Sequence, residues 1–139
     1  MSESGYSGTP LPKKLGLKPD LAALFVNLPA DLDQLTADLP AASKVAGLEH
    51  ANRSGLDYLH VFETQRARLE DQAERLKTML KPSGMMWISW PKKASKVPTT
   101  ITEDVLRRIF LPTGLVDVKV CAVTDIWSGL KFMIRKDLR

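Results

Sequence analysis

Three nearly continuous apolar runs and one weaker run stand out along this chain. They are Leu21–Leu28, Ser43–Leu48, Leu56–Phe62 and Met85–Trp90, of which the second is the weakest. Each is followed by a proline or an acidic residue, and such runs are typical of strands buried on both faces of a parallel sheet. Toward the carboxyl end the pattern changes to strict alternation over 116–121 and 130–135, which predicts an antiparallel hairpin.

Helical spacing of apolar residues separates these strands. It predicts a short helix over 32–39, ended by Pro40, and an amphipathic helix over 64–80, ended by residues 82–84 (PSG). Residues 100–103 (TITE) have the spacing of a capping box and predict a helix that continues to Phe110. Strand–helix alternation followed by a hairpin predicts an α/β fold with a mostly parallel sheet and helices on both faces.

Composition adds the class of protein to this pattern. The chain has 139 residues, 44% hydrophobic and 26% charged, which is ordinary for one globular domain. Glycines and prolines break residues 1–20 into an N-terminal arm, and residues 21–139 form the predicted single domain. No run approaches the ~20 apolar residues of a membrane span, and no signal-like segment follows the polar start. We therefore expect a cytoplasmic protein without a membrane partner.

Positive charge is concentrated in the second half of the chain. Residues 1–62 carry five Lys/Arg and seven Asp/Glu, whereas residues 63–139 carry fifteen and nine. The segment Pro91–Thr100 holds three lysines and no acid. Such a surface can attract nucleic acid or another polyanion, although a lysine-rich solvated surface has the same composition.

The segment LKPSGMMWISW at 80–90, with the strand and helix before it and the hairpin after it, resembles that of Rossmann-like methyltransferases. The resemblance covers about residues 56–135. Together with right-handed crossovers, it implies that the six strands lie in the order second, first, third, fourth, sixth, fifth, with only the sixth antiparallel.

The cofactor turn of that family is missing. In the family the first strand ends in a glycine-rich turn, whereas here it ends Val26-Asn27-Leu28-Pro29, without a glycine and with a proline that lacks an amide donor. The acidic residue that holds the ribose hydroxyls in the family corresponds to Glu49 if the second strand is real. From the turn we expect no S-adenosylmethionine binding, and we assign no cofactor.

Longer segments resemble a family of short bacterial proteins of unknown function. They are TPLPKKLGLKP at 9–19, WPKKAS at 90–95 and KVCAVTDIWSGLKF at 119–132. This resemblance implies a fold and carries no activity.

No catalytic or metal-binding set can be assembled from the sequence. His60 lies within a predicted strand and His50 in a loop, so we interpret both as structural or surface groups. Cys121 is the one cysteine, which excludes an internal disulfide and a multi-cysteine metal site. The Ser-x-x-Lys spelling at 89–92 lies in a strand, where the lysine cannot reach back to the serine.

The loop after the fourth strand is the best candidate site, because ligands of open α/β sheets bind outside the carboxyl ends of the strands. Ammonium groups, hydroxyls and aromatic rings there could hold an anionic ligand. The candidate residues are Trp90, Lys92, Lys93, Ser95, Lys96, Thr100 and Trp127.

Three functions stay open at this point. The first is a non-catalytic domain that binds an anionic ligand or nucleic acid at residues 90–96. The second is a divergent S-adenosylmethionine-dependent enzyme, and the third is an assembly module that pairs through its edge hairpin.

Overall fold

Six strands form one sheet in the order β2-β1-β3-β4-β6-β5. The computed structural model describes residues 9–139, so residues 1–8 of the predicted arm lie outside the described residues. The strands are β1 (Ala23–Val26), β2 (Ala42–Val45), β3 (Leu56–Phe62), β4 (Leu80–Pro91), β5 (Leu115–Ala122) and β6 (Trp127–Ile134). Among them only β6 runs opposite to the other five, antiparallel to both β4 and β5. The predicted strand order and direction are therefore confirmed.

Helices cover both faces of this sheet, as predicted. They are α1 (Leu11–Leu15), α2 (Gln34–Ala37), α3 (Arg66–Thr78) and α4 (Glu103–Phe110). Apolar residues of α3 and α4 form one core cluster with one face of the sheet, and those of α1 and α2 form a second cluster with the other. No helix in the described part of the chain has the length and apolar character needed to cross a membrane.

β4 begins earlier than the sequence predicts. The strand starts at Leu80, which pairs with Leu56 of β3, and the pairing resumes only between Met85 and Tyr58. Residues 81–84 therefore form a bulge within the strand instead of the end of a helix. Gly84 is needed there because a Cβ atom at this position would lie 2.6 Å from the carbonyl oxygen of Leu56.

The segment between β1 and β3 is also less regular than predicted. The helix expected over 32–39 is a 3₁₀ turn at Ala30–Leu32 followed by the single-turn α2. β2 has only four residues, ends at Val45 and is followed by a second 3₁₀ turn at Leu48–His50. Its side chains are half-buried or exposed because it is an edge strand, and this explains its weak apolar pattern.

A buried polar row crosses β3 and β4 beneath α1. Tyr58 Oη lies 2.8 Å from His60 Nδ1, and His60 Nε2 lies 2.7 Å from Ser89 Oγ. All three residues have 0% of their surface exposed. Trp87, beside them on β4, donates its indole N–H to the carbonyl of Leu15 at 2.9 Å. Each polar atom of the row thus has a partner, which a buried polar group requires.

Burial keeps the imidazole of His60 neutral. The ring is stacked on Phe62 with centroids 4.3 Å apart, and burial lowers the His60 pKa from 6.5 to about 3. The unfolded chain takes up a proton as the pH falls through 6.5, whereas the folded chain takes it up only near pH 3. The stabilisation from neutral His60 is therefore complete above pH 6.5 and is lost between pH 6.5 and 3.

We predict that wild-type protein loses about 2 kcal/mol of unfolding free energy between pH 7 and pH 5 through His60. Most carboxylates stay ionised between pH 7 and pH 5, so protonation of histidine causes the loss of unfolding free energy. Urea denaturation at both pH values measures it. His60→Gln should lower the stability at pH 7 and flatten the dependence, whereas the exposed-histidine control His50→Gln should keep the wild-type slope. Equal slopes for wild type and His60→Gln would contradict this assignment.

Candidate functional site

The two tryptophans of the predicted site pack into the protein. Trp90 is 8% exposed and belongs to the core cluster beneath α3 and α4. Trp127 pairs with Pro91 across β4 and β6 and is half-buried, with its ring edge-on to Phe62 at 5.3 Å. The structure therefore does not present both rings as free flat surfaces beside the loop.

The loop itself is closed by its own hydrogen bonds. Ser95 Oγ donates to the carbonyl of Lys92 at 2.6 Å and accepts from the amide of Val97 at 3.2 Å. Lys96 adopts the left-handed conformation (φ 63°), which turns the chain after the 3₁₀ turn at Lys93–Ser95. Lys93 and Lys96 are exposed, and Lys92 is half-buried.

Thr100 caps a different helix from the one predicted. Its hydroxyl accepts the amide of Arg66 at 2.7 Å, at the start of α3. The N-cap of α4 is Thr102, whose hydroxyl accepts the amide of Val105 at 3.2 Å. The predicted capping box does not form: α4 begins later and has a single side-chain cap, because Thr100 is held next to the end of β3 by a hydrogen bond from its amide to Thr64 O.

Glu63 directly follows β3, and its carboxylate is buried. It is 4% exposed, and its Oε2 accepts the amides of Thr64 and Gln65, each at 2.9 Å. Arg68 Nη1 lies 3.4 Å from the same oxygen. Asp57 lies at the opposite end of β3, where the amide of Ala22 and the ammonium of Lys81 lower its pKa. The two carboxylates therefore do not form a pair.

A groove of about 330 Å³ lies outside the carboxyl ends of β1, β2 and β3. It is lined by Val26, Asn27, Ala46, Gly47, Leu48, Glu49, Glu63, Arg68 and Gln72. Because β1 lies between β2 and β3, the chain passes from β1 to β2 on one side of β1 and then crosses to β3 on the other side. This reversal is the switch point at which open α/β sheets bind their ligands. Its sequence signals are the predicted strand order and the acidic Glu49, although the sequence favoured the loop at 90–96 as the candidate site.

Asn27 and Glu49 give the groove its polar rim. Asn27 follows β1 directly, has a left-handed backbone (φ 60°) and donates its side-chain amide to Phe62 O at 3.3 Å. Glu49 follows β2, and its carboxylate is 71% exposed. A Cβ atom on Gly47 would lie 2.6 Å from that carboxylate. The absence of a side chain at Gly47 therefore lets Glu49 fold back along the groove wall.

Neither His50 nor Cys121 lines this groove. His50 is exposed, with Nε2 3.7 Å from Glu49 Oε2. Cys121 is buried, and burial raises the pKa of its thiol. Within residues 9–139 no three side chains of the metal-binding types converge on one point.

β5 forms one edge of the sheet. Val116, Val118 and Val120 are 37%, 47% and 49% exposed along it. Its pairing with β6 shifts register between Asp117 and Lys119. A bulge and a lysine on an edge strand hinder pairing with another chain, so the assembly module stays a hypothesis.

Solved structures match this fold, although no protein-family model and no curated protein matches the sequence. A SAM-dependent methyltransferase from Aquifex aeolicus matches with a TM-score of 0.67 and 19% identity over 88% of this chain and 87% of its own. Magnesium protoporphyrin IX methyltransferase from Synechocystis with bound SAM gives 0.60 and 10% over 84% and 71%. Fibrillarin from Methanococcus jannaschii, a pre-rRNA processing protein, gives 0.53 and 14% over 84% and 67%.

These identities show the fold alone. The chain has the Rossmann-like fold of SAM-dependent methyltransferases, with a mostly parallel sheet and an antiparallel carboxyl-terminal pair. This is the fold that the segment at 80–90 predicted.

We predict that Thr100→Ala costs about 1 kcal/mol of unfolding free energy, because the first amide of α3 loses its acceptor. Urea denaturation at constant m measures the change. Thr100→Ser keeps the hydroxyl and should restore most of the stability. A Thr100→Ala protein as stable as wild type would show that the bond to Arg66 does not fasten α3.

Proposed function

We propose that this methyltransferase-like protein binds the adenosyl part of S-adenosylmethionine or a related nucleoside in the groove at the ends of β1, β2 and β3. The observation that carries the proposal is the position of Glu49. Its exposed carboxylate lies along the wall of the switch-point groove, in the 3₁₀ turn that follows β2. A carboxylate at this place can accept hydrogen bonds from both hydroxyls of a ribose.

The size and lining of the groove support a nucleoside. Its volume of about 330 Å³ lies at the lower end of the ~300–1,000 Å³ range of small-ligand pockets. Gln72 from α3 lines the wall and carries both an amide donor and a carbonyl acceptor. Such a side chain can pair with the edge of a base, while Val26 and Leu48 supply apolar surface.

The turn after β1 fits the adenosyl part better than its sequence indicates. Asn27 adopts the left-handed conformation (φ 60°) for which a glycine is usually needed, so this turn is made without one. This geometry supports the proposal, whereas the missing glycine in the sequence speaks against it. Beyond Asn27, Pro29 has no amide to donate to the methionine part.

Bound S-adenosylmethionine would supply an electrophilic methyl group. The groups of this chain that would hold it are the Glu49 carboxylate at the ribose and the wall residues Asn27 and Gln72. Glu63 and Arg68 form an ion pair at the groove wall. Their role in the proposal is to fix the start of α3, and thereby the place of Gln72.

Isothermal titration calorimetry tests the proposal. S-adenosylhomocysteine, S-adenosylmethionine and adenosine should each give saturable heat, and adenosine should retain most of the affinity because the methionine part finds few partners. Glu49→Gln should weaken adenosine binding about tenfold, since a charged acceptor is replaced by a neutral one. The same substitution should weaken the binding of deoxyadenosine, which lacks the 2′-hydroxyl, by a smaller factor than it weakens the binding of adenosine.

The matched control is Glu74→Gln, which makes the same charge change on an exposed residue of α3 that does not line the groove. Its affinity should equal that of wild type. The proposal is wrong if wild-type protein gives no saturable heat with any of these compounds at millimolar concentration. It is also wrong if the Glu49→Gln and Glu74→Gln proteins bind adenosine equally.

A further inference from the structure

Several lysines lie on the face of the terminal hairpin that α1 partly covers. In register, Trp87 of β4 lies opposite Lys131 of β6, and Lys131 lies opposite Lys119 of β5. Directly paired residues point to the same face of a sheet, so both lysines face the side on which Trp87 and α1 pack. Two like charges are thus neighbours across the strands.

Two further lysines come close to the same face from other segments. Lys92 directly follows Pro91, which pairs with Trp127 of β6 at the start of the hairpin strand. Lys14 of α1 donates its ammonium to the carbonyl of Ala122 at 3.5 Å. The charges of Lys14, Lys92 and Lys119 all act on the thiol of Cys121, where they oppose the rise in its pKa that burial causes. Cys121 lies two residues beyond Lys119 on β5 and therefore on the same face. We call Lys14, Lys92, Lys119 and Lys131 the lysine face.

Three of these lysines have no acidic partner in the described part of the chain. In residues 9–139, no carboxylate lies within 4.0 Å of the ammonium groups of Lys92, Lys119 or Lys131. Asp117 of β5 pairs with Arg107 at 3.0 Å, and its partner across the strands is Phe132, which faces the opposite core. The nearby acid of β5 is therefore turned away from these lysines.

This arrangement lowers stability in the isolated protein. Lys131 is half-buried, and burial together with Lys119 lowers its pKa. Like charges directly opposite one another across two strands are destabilising. A pair of like charges that no described acidic side chain compensates is typical of a functional surface, where an anion supplies the compensation.

We propose that the lysine face binds the phosphodiester backbone of a nucleic acid. The four ammonium groups come from α1, the loop after β4, and both strands of the hairpin, so they are spread over a sheet face. A spread set matches a repeating polyanion better than a single phosphate. The net charge of +4 adds long-range attraction.

The same face predicts that binding is insensitive to base sequence. Trp87 is fully buried, Trp90 is 8% exposed, and the ring of Trp127 is edge-on to Phe62. The aromatic side chains nearest the lysines are therefore occupied in packing, and recognition rests on charge. Lys92 joins this face from the loop predicted as an anion site. None of the four lysines lines the nucleoside groove, so the two proposals are independent.

Fluorescence anisotropy with labelled oligouridylate, oligodeoxythymidylate and duplex DNA of about 20 nucleotides tests the proposal. Wild-type protein should bind them at about 50 mM salt and lose affinity steeply by about 200 mM. Lys119→Gln/Lys131→Gln should weaken single-strand binding at least about tenfold and reduce the salt slope by about 1.4, which is about 0.7 for each lost phosphate contact. Its melting temperature should be unchanged or higher, because the like-charge pair is removed.

The matched control is Lys18→Gln/Lys136→Gln, which removes the same charge from exposed residues outside the lysine face. It should bind nearly as well as wild type. Equal losses in the two double variants would overturn the proposal, since net charge alone would then explain binding. Absence of wild-type binding at low salt would overturn it, and so would polyglutamate binding as tight as that of the oligonucleotides, which would show a surface without preference for phosphodiesters. Adenosine titrations of the same variants should stay at wild-type affinity, whichever way the nucleoside proposal is decided.

Discussion

The buried polar row of Tyr58, His60 and Ser89 is the constraint on which the centre of the sheet depends. Buried polar groups must be paired, and here each hydroxyl meets one nitrogen of a single imidazole between β3 and β4. A one-residue slip of β3 against β4 would turn these groups into the opposite core and leave them unpaired. Gly129 of β6 leaves room for the row, since a Cβ there would lie 3.2 Å from Ser89 Oγ.

The same row determines how the chain covers this face. The polar atoms of the row make their hydrogen bonds to one another, so α1 does not have to supply partners for them. α1 packs instead on the apolar side chains of Phe25, Phe62 and Trp87. The bond from the Trp87 indole to Leu15 O then fixes the position of α1. Lys14 reaches the hairpin as a consequence, so the register of the central strands also decides the composition of the lysine face.

The two proposed surfaces use different properties of one sheet. The nucleoside groove depends on parallel strands, whose carboxyl ends lie at one edge and bring Asn27 and Glu49 together around the switch point. The lysine face depends on the antiparallel pairs, whose registers place Lys131 between Trp87 and Lys119. A protein with both surfaces has a small-ligand site and a polyanion surface that share no residue.

The sequence by itself predicted the strands and the class of fold, because a strand buried on both faces is a continuous apolar run. β3 was predicted to the residue for this reason. The order of the strands followed from right-handed crossovers and the resemblance to methyltransferases. The tertiary structure decided what local pattern cannot encode. Thr100 caps α3 because a bond to Thr64 holds it there, and Asn27 has a left-handed backbone that no spacing signals. Lys119 and Lys131 face each other because strand register, a property of two segments together, aligns them.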